Sequence, residues 1–135
     1  MATFEAKGEL AVPVDKLWGV VREFGSVGWI QGVSDVKVVG SGPGMERIFN
    51  GAIHEKLESV DDARRVLTYT IPAGLPLPVK NYHSTMKVEA AGAGKSQLTW
   101  TCRADPDGVT EDQARQAVTG MYQVMIGWIK DYMRA

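Results

Sequence analysis

From residue 45 to residue 104 the apolar positions recur with a period of two, interrupted by turn residues, and from 110 to 133 they recur with the period of a helix. Strict alternation puts one face of a sheet into the core, and a 3.6-residue repeat puts one stripe of a helix there. Neither surface can be left in water, so sheet and helix must cover each other. The alternating segments are 35–40, 45–50, 53–60, 66–72, 82–90 and 96–104. Gly42-Pro43-Gly44, Asn50-Gly51, Asp61-Asp62 and Gly92-Ala93-Gly94 supply turns between them. With a first strand in which Phe4, Ala6, Gly8 and Leu10 alternate with Thr3, Glu5, Lys7 and Glu9, the pattern predicts an antiparallel sheet of about seven strands.

Two short helices are predicted after the first strand. Pro13 suits a first helical turn, Asp15 complements the N-terminal dipole, and Val14, Leu17, Trp18 and Val21 keep helical spacing up to Gly25. Residues 26–32 form a second brief helical turn in this reading, with Trp29 and Ile30 as its apolar contacts. The long C-terminal helix starts at Thr110, which with Gln113 completes a capping box. Its apolar face reads Ala114, Ala117, Val118, Met121, Met125, Trp128, Ile129 and Tyr132. At 1.5 Å per residue it spans about 36 Å, enough to cross a sheet. Gly120 and Gly127 interrupt it at roughly 1 kcal/mol each relative to alanine. They serve either close packing on the sheet or room for a guest molecule. On the second reading Gly120→Leu fills a cavity and abolishes ligand binding.

Strand parity assigns the inner face. Leu98, Trp100 and Cys102 point inward in the last strand, and Leu67, Tyr69 and Ile71 in the 66–72 strand. In 82–90, Met86 and Val88 carry Tyr82 and Ser84 inward and leave His83, Thr85, Lys87 and Glu89 outside. In 53–60, Ile53 and Leu57 carry Glu55 with them, an acid on an apolar face. If Ala52 joins Asn50-Gly51 in a three-residue loop with a bulge, Phe49 faces Ile53 and Arg47 faces Glu55. A two-residue turn would instead pair Arg47 with His54. The Arg47–Glu55 pair is then either a structural ion pair at the sheet edge or a polar anchor on a cavity floor. The candidate ligand-binding set is Arg47, Phe49, Glu55, Leu67, Tyr69, Tyr82, Ser84, Met86, Trp100, Ala117, Gly120, Met121 and Met125.

Composition narrows the function classes. The chain has 135 residues, 15 basic against 16 acidic side chains and 44% hydrophobic residues, the profile of one globular domain over 1–135. A net charge of −1 without a block of like charges argues against nucleic acid as a partner. No segment reaches the roughly 18 apolar residues of a membrane span, and MATFEAKGEL has no signal-peptide pattern, so the expected location is cytoplasmic. Cys102 lies among strand residues and reads as a buried structural thiol. His54 and His83 lack ligand-spaced neighbours, so neither a metal nor another cofactor is expected.

The order strand, two short helices, six strands and long helix resembles the START-like helix-grip (SRPBCC) superfamily. That superfamily includes the birch-pollen-allergen type, polyketide cyclase/dehydrase-like proteins and plant abscisic-acid receptors. The resemblance implies an α+β helix-grip fold, a curved antiparallel sheet wrapped around the C-terminal helix. Locally, HEKLESVDDARRVLTYTI and NYHSTMKV within 54–88 are similar to the receptor-type pattern. There a strand glutamate and an Asn-Tyr pair point into the ligand pocket, here Glu55 and Asn81-Tyr82. Receptors of that type carry a longer serine-glycine-leucine-proline gate where this chain has Asn50-Gly51, so a hormone-receptor role is not implied. The superfamily shares a scaffold more widely than an activity, and no catalytic set carries over.

Residues 72–80 hold Pro72, Pro76 and Pro78 with Leu75, Leu77 and Val79, too apolar for an ordinary solvent loop. They form either a semi-rigid lid pivoting on Gly74 or a contact surface, for instance of a homodimer. The leading functional reading is binding of a small, mostly apolar molecule such as a lipid, isoprenoid or aromatic polyketide, with Glu55, Arg47 and Tyr82 orienting its polar end. The alternative is a cyclase or dehydratase using Glu55 and Tyr82 as acid and base. A third is an accessory protein recognising a partner through 72–80.

Overall fold

The period-two segments pair side by side into one seven-stranded antiparallel sheet of order β1-β7-β6-β5-β4-β3-β2. The computed structural model describes residues 1–135. Its elements are β1 (Ala2–Leu10), α1 (Val14–Val21), β2 (Val36–Val39), β3 (Glu46–Phe49), β4 (Ile53–Asp61), β5 (Val66–Ala73), β6 (Val79–Ala90), β7 (Ser96–Pro106) and α2 (Glu111–Met133). The sheet is curved, and α2 packs along its inner face against β1 and β7. This is the helix-grip architecture that the two periodicities predict.

The capping box forms as the sequence indicates. Thr110 Oγ1 accepts from the Gln113 amide at 3.1 Å, and Gln113 Oε1 accepts from the Thr110 amide at 3.0 Å. The buried stripe of α2 is Ala114, Val118, Tyr122, Ile126 and Ile129, which is rotated from the predicted face. Met121, Met125 and Trp128 flank that stripe half-buried, and Tyr132 is 54% exposed. Gly120 is exposed, and a Cβ on it or on Gly127 would meet nothing within 4 Å. Neither reading of these glycines therefore holds: they make no close approach to the sheet, and Gly120 borders no guest site. The close approach is made from the other side, at Gly8 of β1, against Ile126.

Only one short helix follows β1. The segment 26–32 folds as turns, with the Ile30 amide bonded to the Val27 carbonyl at 3.0 Å, because Gly25, Gly28 and Gly32 raise the cost of a helix there. It still buries Trp29, and Phe24 just before it is buried as well. α1 is anchored to the β4–β5 turn by Trp18 Nε1, which donates to Asp62 Oδ1 at 2.8 Å.

The predicted 72–80 loop is shorter than expected. β5 continues through Ala73 and β6 begins at Val79, leaving residues 74–78 as the connection. Gly74 has φ +75°, and a Cβ there would fall 2.0 Å from the Ala52 carbonyl oxygen. The glycine is thus wedged against the β3–β4 turn and is no free pivot. Just beyond, β6 carries a bulge: Lys80 pairs with Asp105 and His83 with Arg103, so Asn81 and Tyr82 together oppose Ala104. Asn81, φ 56°, takes the left-handed position that asparagine tolerates. Its side chain is on the surface, where Nδ2 donates to Asp105 at 2.9 Å, so of the Asn-Tyr pair only Tyr82 points inward.

Candidate functional site

The β3–β4 hairpin builds the polar end of the site. Asn50 and Gly51 both have positive φ, 52° and 68°, and the Ala52 amide bonds to the Phe49 carbonyl at 3.0 Å. The three-residue loop pairs Phe49 with Ile53 and Arg47 with Glu55, the register in which like faces like. Arg47 Nε donates to Glu55 Oε1 at 2.7 Å, with the two side chains 5% and 13% exposed. Arg47 Nη1 donates to the Phe24 carbonyl at 3.0 Å, and the guanidinium lies 3.9 Å from the centroid of the Phe24 ring. The buried charge is therefore paired, hydrogen-bonded and stacked, which offsets the penalty for removing it from water.

Neighbouring strands and α2 add a buried hydroxyl cluster. Tyr69 Oη lies 3.4 Å from Tyr82 Oη, which in turn contacts Tyr122 Oη. Ser84 Oγ lies 3.3 Å from Tyr122 Oη and donates to the Thr101 carbonyl at 3.1 Å. Trp100 Nε1 points at Tyr69 Oη and Ser84 Oγ at 3.2 and 3.1 Å, and the Trp100 ring stacks on Tyr122 with centroids 5.0 Å apart. No buried side-chain nitrogen or oxygen lacks a partner. Burial pushes the Tyr69 phenol up to about 12, with the Glu55 charge adding to the shift, and it raises Tyr82 and Tyr122 well above the ordinary range. All three stay neutral near pH 7. Burial also raises the Cys102 thiol, in keeping with a structural role.

Between these groups and α2 lies a cavity of about 240 Å³. Trp29, Ile30, Phe49, Ile71, Leu77, Met121, Met125 and Trp128 contribute apolar wall, while Arg47, Glu55, Tyr69, Tyr82 and Trp100 bring polar atoms to it. Gln31, Gly32, Val33, Asn50 and Pro76 also border it. A larger and more open depression of about 590 Å³ on the outer face is lined mainly by polar residues, Thr68, Thr85 and Thr101 among them. A mostly apolar wall with a few convergent polar groups marks the inner cavity as the candidate site.

Of the residues singled out from sequence, Arg47, Phe49, Glu55, Tyr69, Tyr82, Trp100, Met121 and Met125 meet at this cavity. Leu67 and Met86 are instead core residues beneath the sheet's inner face, and Ser84 sits behind the phenols. Ala117 and Gly120 lie off the cavity wall, because the helix is rotated toward Tyr122 and Ile126. His83 faces outward beside Glu58, and His54 does not border the cavity. Tyr122 was missed, although its i, i+4 spacing from Val118 and Ile126 is a legible signal. Asn50 does more than turn the chain. Its Oδ1 accepts from the Ser34 amide and hydroxyl and from the Asp35 amide, at 3.1, 3.0 and 3.0 Å, and so pins the loop at the cavity mouth. No three His, Cys, Asp or Glu side chains cluster as metal ligands would, and no helix is long and apolar enough to cross a membrane.

A family model described as polyketide cyclase/dehydrase and lipid transport matches residues 1–134. No curated protein matches. Among solved structures, an uncharacterised Bacillus thuringiensis protein is 25% identical with a TM-score of 0.85, over 99% of this chain and 100% of that one. A Thermobifida fusca protein is 27% identical with a TM-score of 0.81, over 99% and 95%. Ara h 8.0201, at 23% identity and a TM-score of 0.75 over 97% and 96%, shares the fold.

Proposed function

Because the chain belongs to the polyketide cyclase/dehydrase and lipid transport family, we propose that it binds one small, mostly apolar molecule in the cavity between sheet and α2. The carrying observation is the convergence of the Arg47–Glu55 pair and two phenols on an otherwise apolar wall. Apolar surface supplies affinity and the few polar groups supply orientation. At about 240 Å³ the cavity is below the roughly 300–1,000 Å³ typical of drug-sized ligands, which favours a compact ring system over an extended lipid chain. Met121 and Met125 form an adaptable wall on the helix side.

The acid–base alternative would have Glu55 and Tyr82 exchange protons with the ligand. Glu55 is engaged by Arg47, and burial keeps Tyr82 a neutral phenol in contact with Tyr122, which supports retention of a ligand over its conversion. Native mass spectrometry of freshly purified protein, followed by incubation of the extracted compound with ligand-free protein, tests the reading. A stoichiometric small molecule recovered unchanged is the expected result. A chemically altered product would establish the enzyme instead.

A further inference from the structure

The ion pair at the polar end of the cavity is only half closed. Arg47 gives Nε to Glu55 Oε1 and Nη1 to the Phe24 carbonyl, while Nη2 and its N–H groups have no protein acceptor. Glu55 Oε2 likewise receives no protein donor. No fully buried side-chain nitrogen or oxygen anywhere in the molecule lacks a partner, so these two atoms, which have none, reach open space. Of the three depressions in the molecule, the inner cavity is the one that Arg47 and Glu55 border. The free N–H groups of the cation and the free oxygen of the anion are therefore offered to the cavity.

The two atoms belong to one contact. A single carbon joins Nη2 to Nε and Oε2 to Oε1, and Nε and Oε1 are 2.7 Å apart, so the open donor and the open acceptor are held near each other. Neither can change sign, because a guanidinium only donates and a carboxylate only accepts. Tyr69 and Tyr82 impose no such demand, since a hydroxyl donates or accepts as it turns. A ligand that fills the cavity takes water from both charged groups, and whichever it fails to bond is left desolvated and unpaired. A carbonyl alone meets Nη2 and strands Oε2; an N–H alone does the reverse. A carboxylate would meet Nη2 but set a second anion beside Glu55. We propose that the cavity selects an uncharged group carrying a hydrogen-bond acceptor and a donor side by side, such as a lactam amide, on a compact apolar ring system. The inference rests on the binding reading above and names the ligand chemistry that site takes.

Oxindole, indanone, indole and indene are near-equal in size and present, in turn, acceptor with donor, acceptor alone, donor alone and neither. Their affinities for the full chain at neutral pH can be measured by calorimetry or ligand-observed NMR. Oxindole should bind at least about tenfold more tightly than any of the others, as polar sites reject analogues that leave a buried group unpaired. A smaller preference over either indanone or indole would overturn the inference while leaving cavity binding intact. No binding by any of them would overturn the binding reading and this inference with it. Glu55→Gln tests the atoms assigned. The Arg47 Nε–H needs an oxygen, so it holds the amide oxygen in the place of Oε1 and puts the amide nitrogen, a donor, where Oε2 was. Indanone then meets donors on both sides, and the preference for oxindole over it should shrink several-fold. An unchanged preference in that variant would show that Oε2 does not read the ligand's donor, and would overturn the proposal.

Discussion

A Cβ on Gly8 of β1 would lie 2.5 Å from Cγ2 of Ile126 on α2, closer than two carbons can sit. Helix and sheet therefore meet at the one β1 position without a side chain, and the clash would fall on a β-branched residue whose rotamer is restricted.

Gly8→Ala should accordingly destabilise the protein by about 1–3 kcal/mol, the usual penalty for overpacking. Gly120→Ala, in open space on the exposed side of α2, should stabilise it by up to about 1 kcal/mol and leave ligand affinity unchanged. Urea or thermal unfolding of the two variants reads the opposite signs directly. A loss of stability in Gly120→Ala would return that glycine to a packing role.

Removing one partner of the Arg47–Glu55 pair leaves the other charge nearly buried without its counter-ion. Arg47→Met should cost about 3 kcal/mol. Glu55→Gln should cost less, because the amide oxygen still accepts from Arg47. The double variant should be less destabilised than the sum of the singles, and a double-mutant cycle in urea measures that difference. Strict additivity would mean the pair is uncoupled.

The three buried phenols make stability depend on alkaline pH. Burial raises their folded pKa values above the ordinary phenol value of about 10, with Tyr69 pushed up to about 12. Below pH 10 both folded and unfolded forms hold these protons, and their contribution is fully present. Above it the unfolded chain loses protons that the folded protein keeps, so stability falls as pH rises toward 12, by up to about 1.4 kcal/mol per pH unit for each phenol. Ultraviolet titration should show Tyr69, Tyr82 and Tyr122 ionising together with unfolding. Their ionisation near pH 10 in a protein that remains folded would contradict the burial described.

Asn50→Gly keeps a residue suited to φ 52° but removes the acceptor of three hydrogen bonds. The Ser34 and Asp35 amides should then exchange with solvent at least about tenfold faster, the equivalent of roughly 1.4 kcal/mol of lost local stability. Faster ligand dissociation should accompany this, since the same bonds hold the loop at the mouth. Unchanged amide protection would show that the loop is held elsewhere.

The Arg47–Glu55 pairing was legible because turn chemistry and parity constrain each other: only the three-residue Asn50–Gly51–Ala52 loop keeps apolar opposite apolar and charge opposite charge. The capping box was legible because it is local. The hydroxyl cluster was not, since it joins residues on β5, β6, β7 and α2, and depends on a rotation of α2 that a broad apolar arc leaves open. Met121 and Met125 drew the predicted face toward themselves, whereas the sheet takes Tyr122 and Ile126. The segment 26–32 shows the opposite failing, where apolar spacing suggested a helix that three glycines undo.

The bulge at Asn81-Tyr82 acts as a phase marker for the rest of β6. Val79 before it and Tyr82, Ser84, Met86 and Val88 after it all face the core, although unbroken alternation would put Val79 and Tyr82 on opposite sides. Deleting Asn81 would remove the extra residue and leave a regular ladder, with Lys80 still opposite Asp105, Tyr82 opposite Ala104, and Val79, then two positions from Tyr82, on the same inner face. A deletion in the regular stretch after the bulge has no such escape, since a one-residue slip there would turn Lys87 and Glu89 toward the interior. Asn81 is therefore the position of β6 whose loss leaves the cavity floor in place, whereas a deletion further along the strand turns it over.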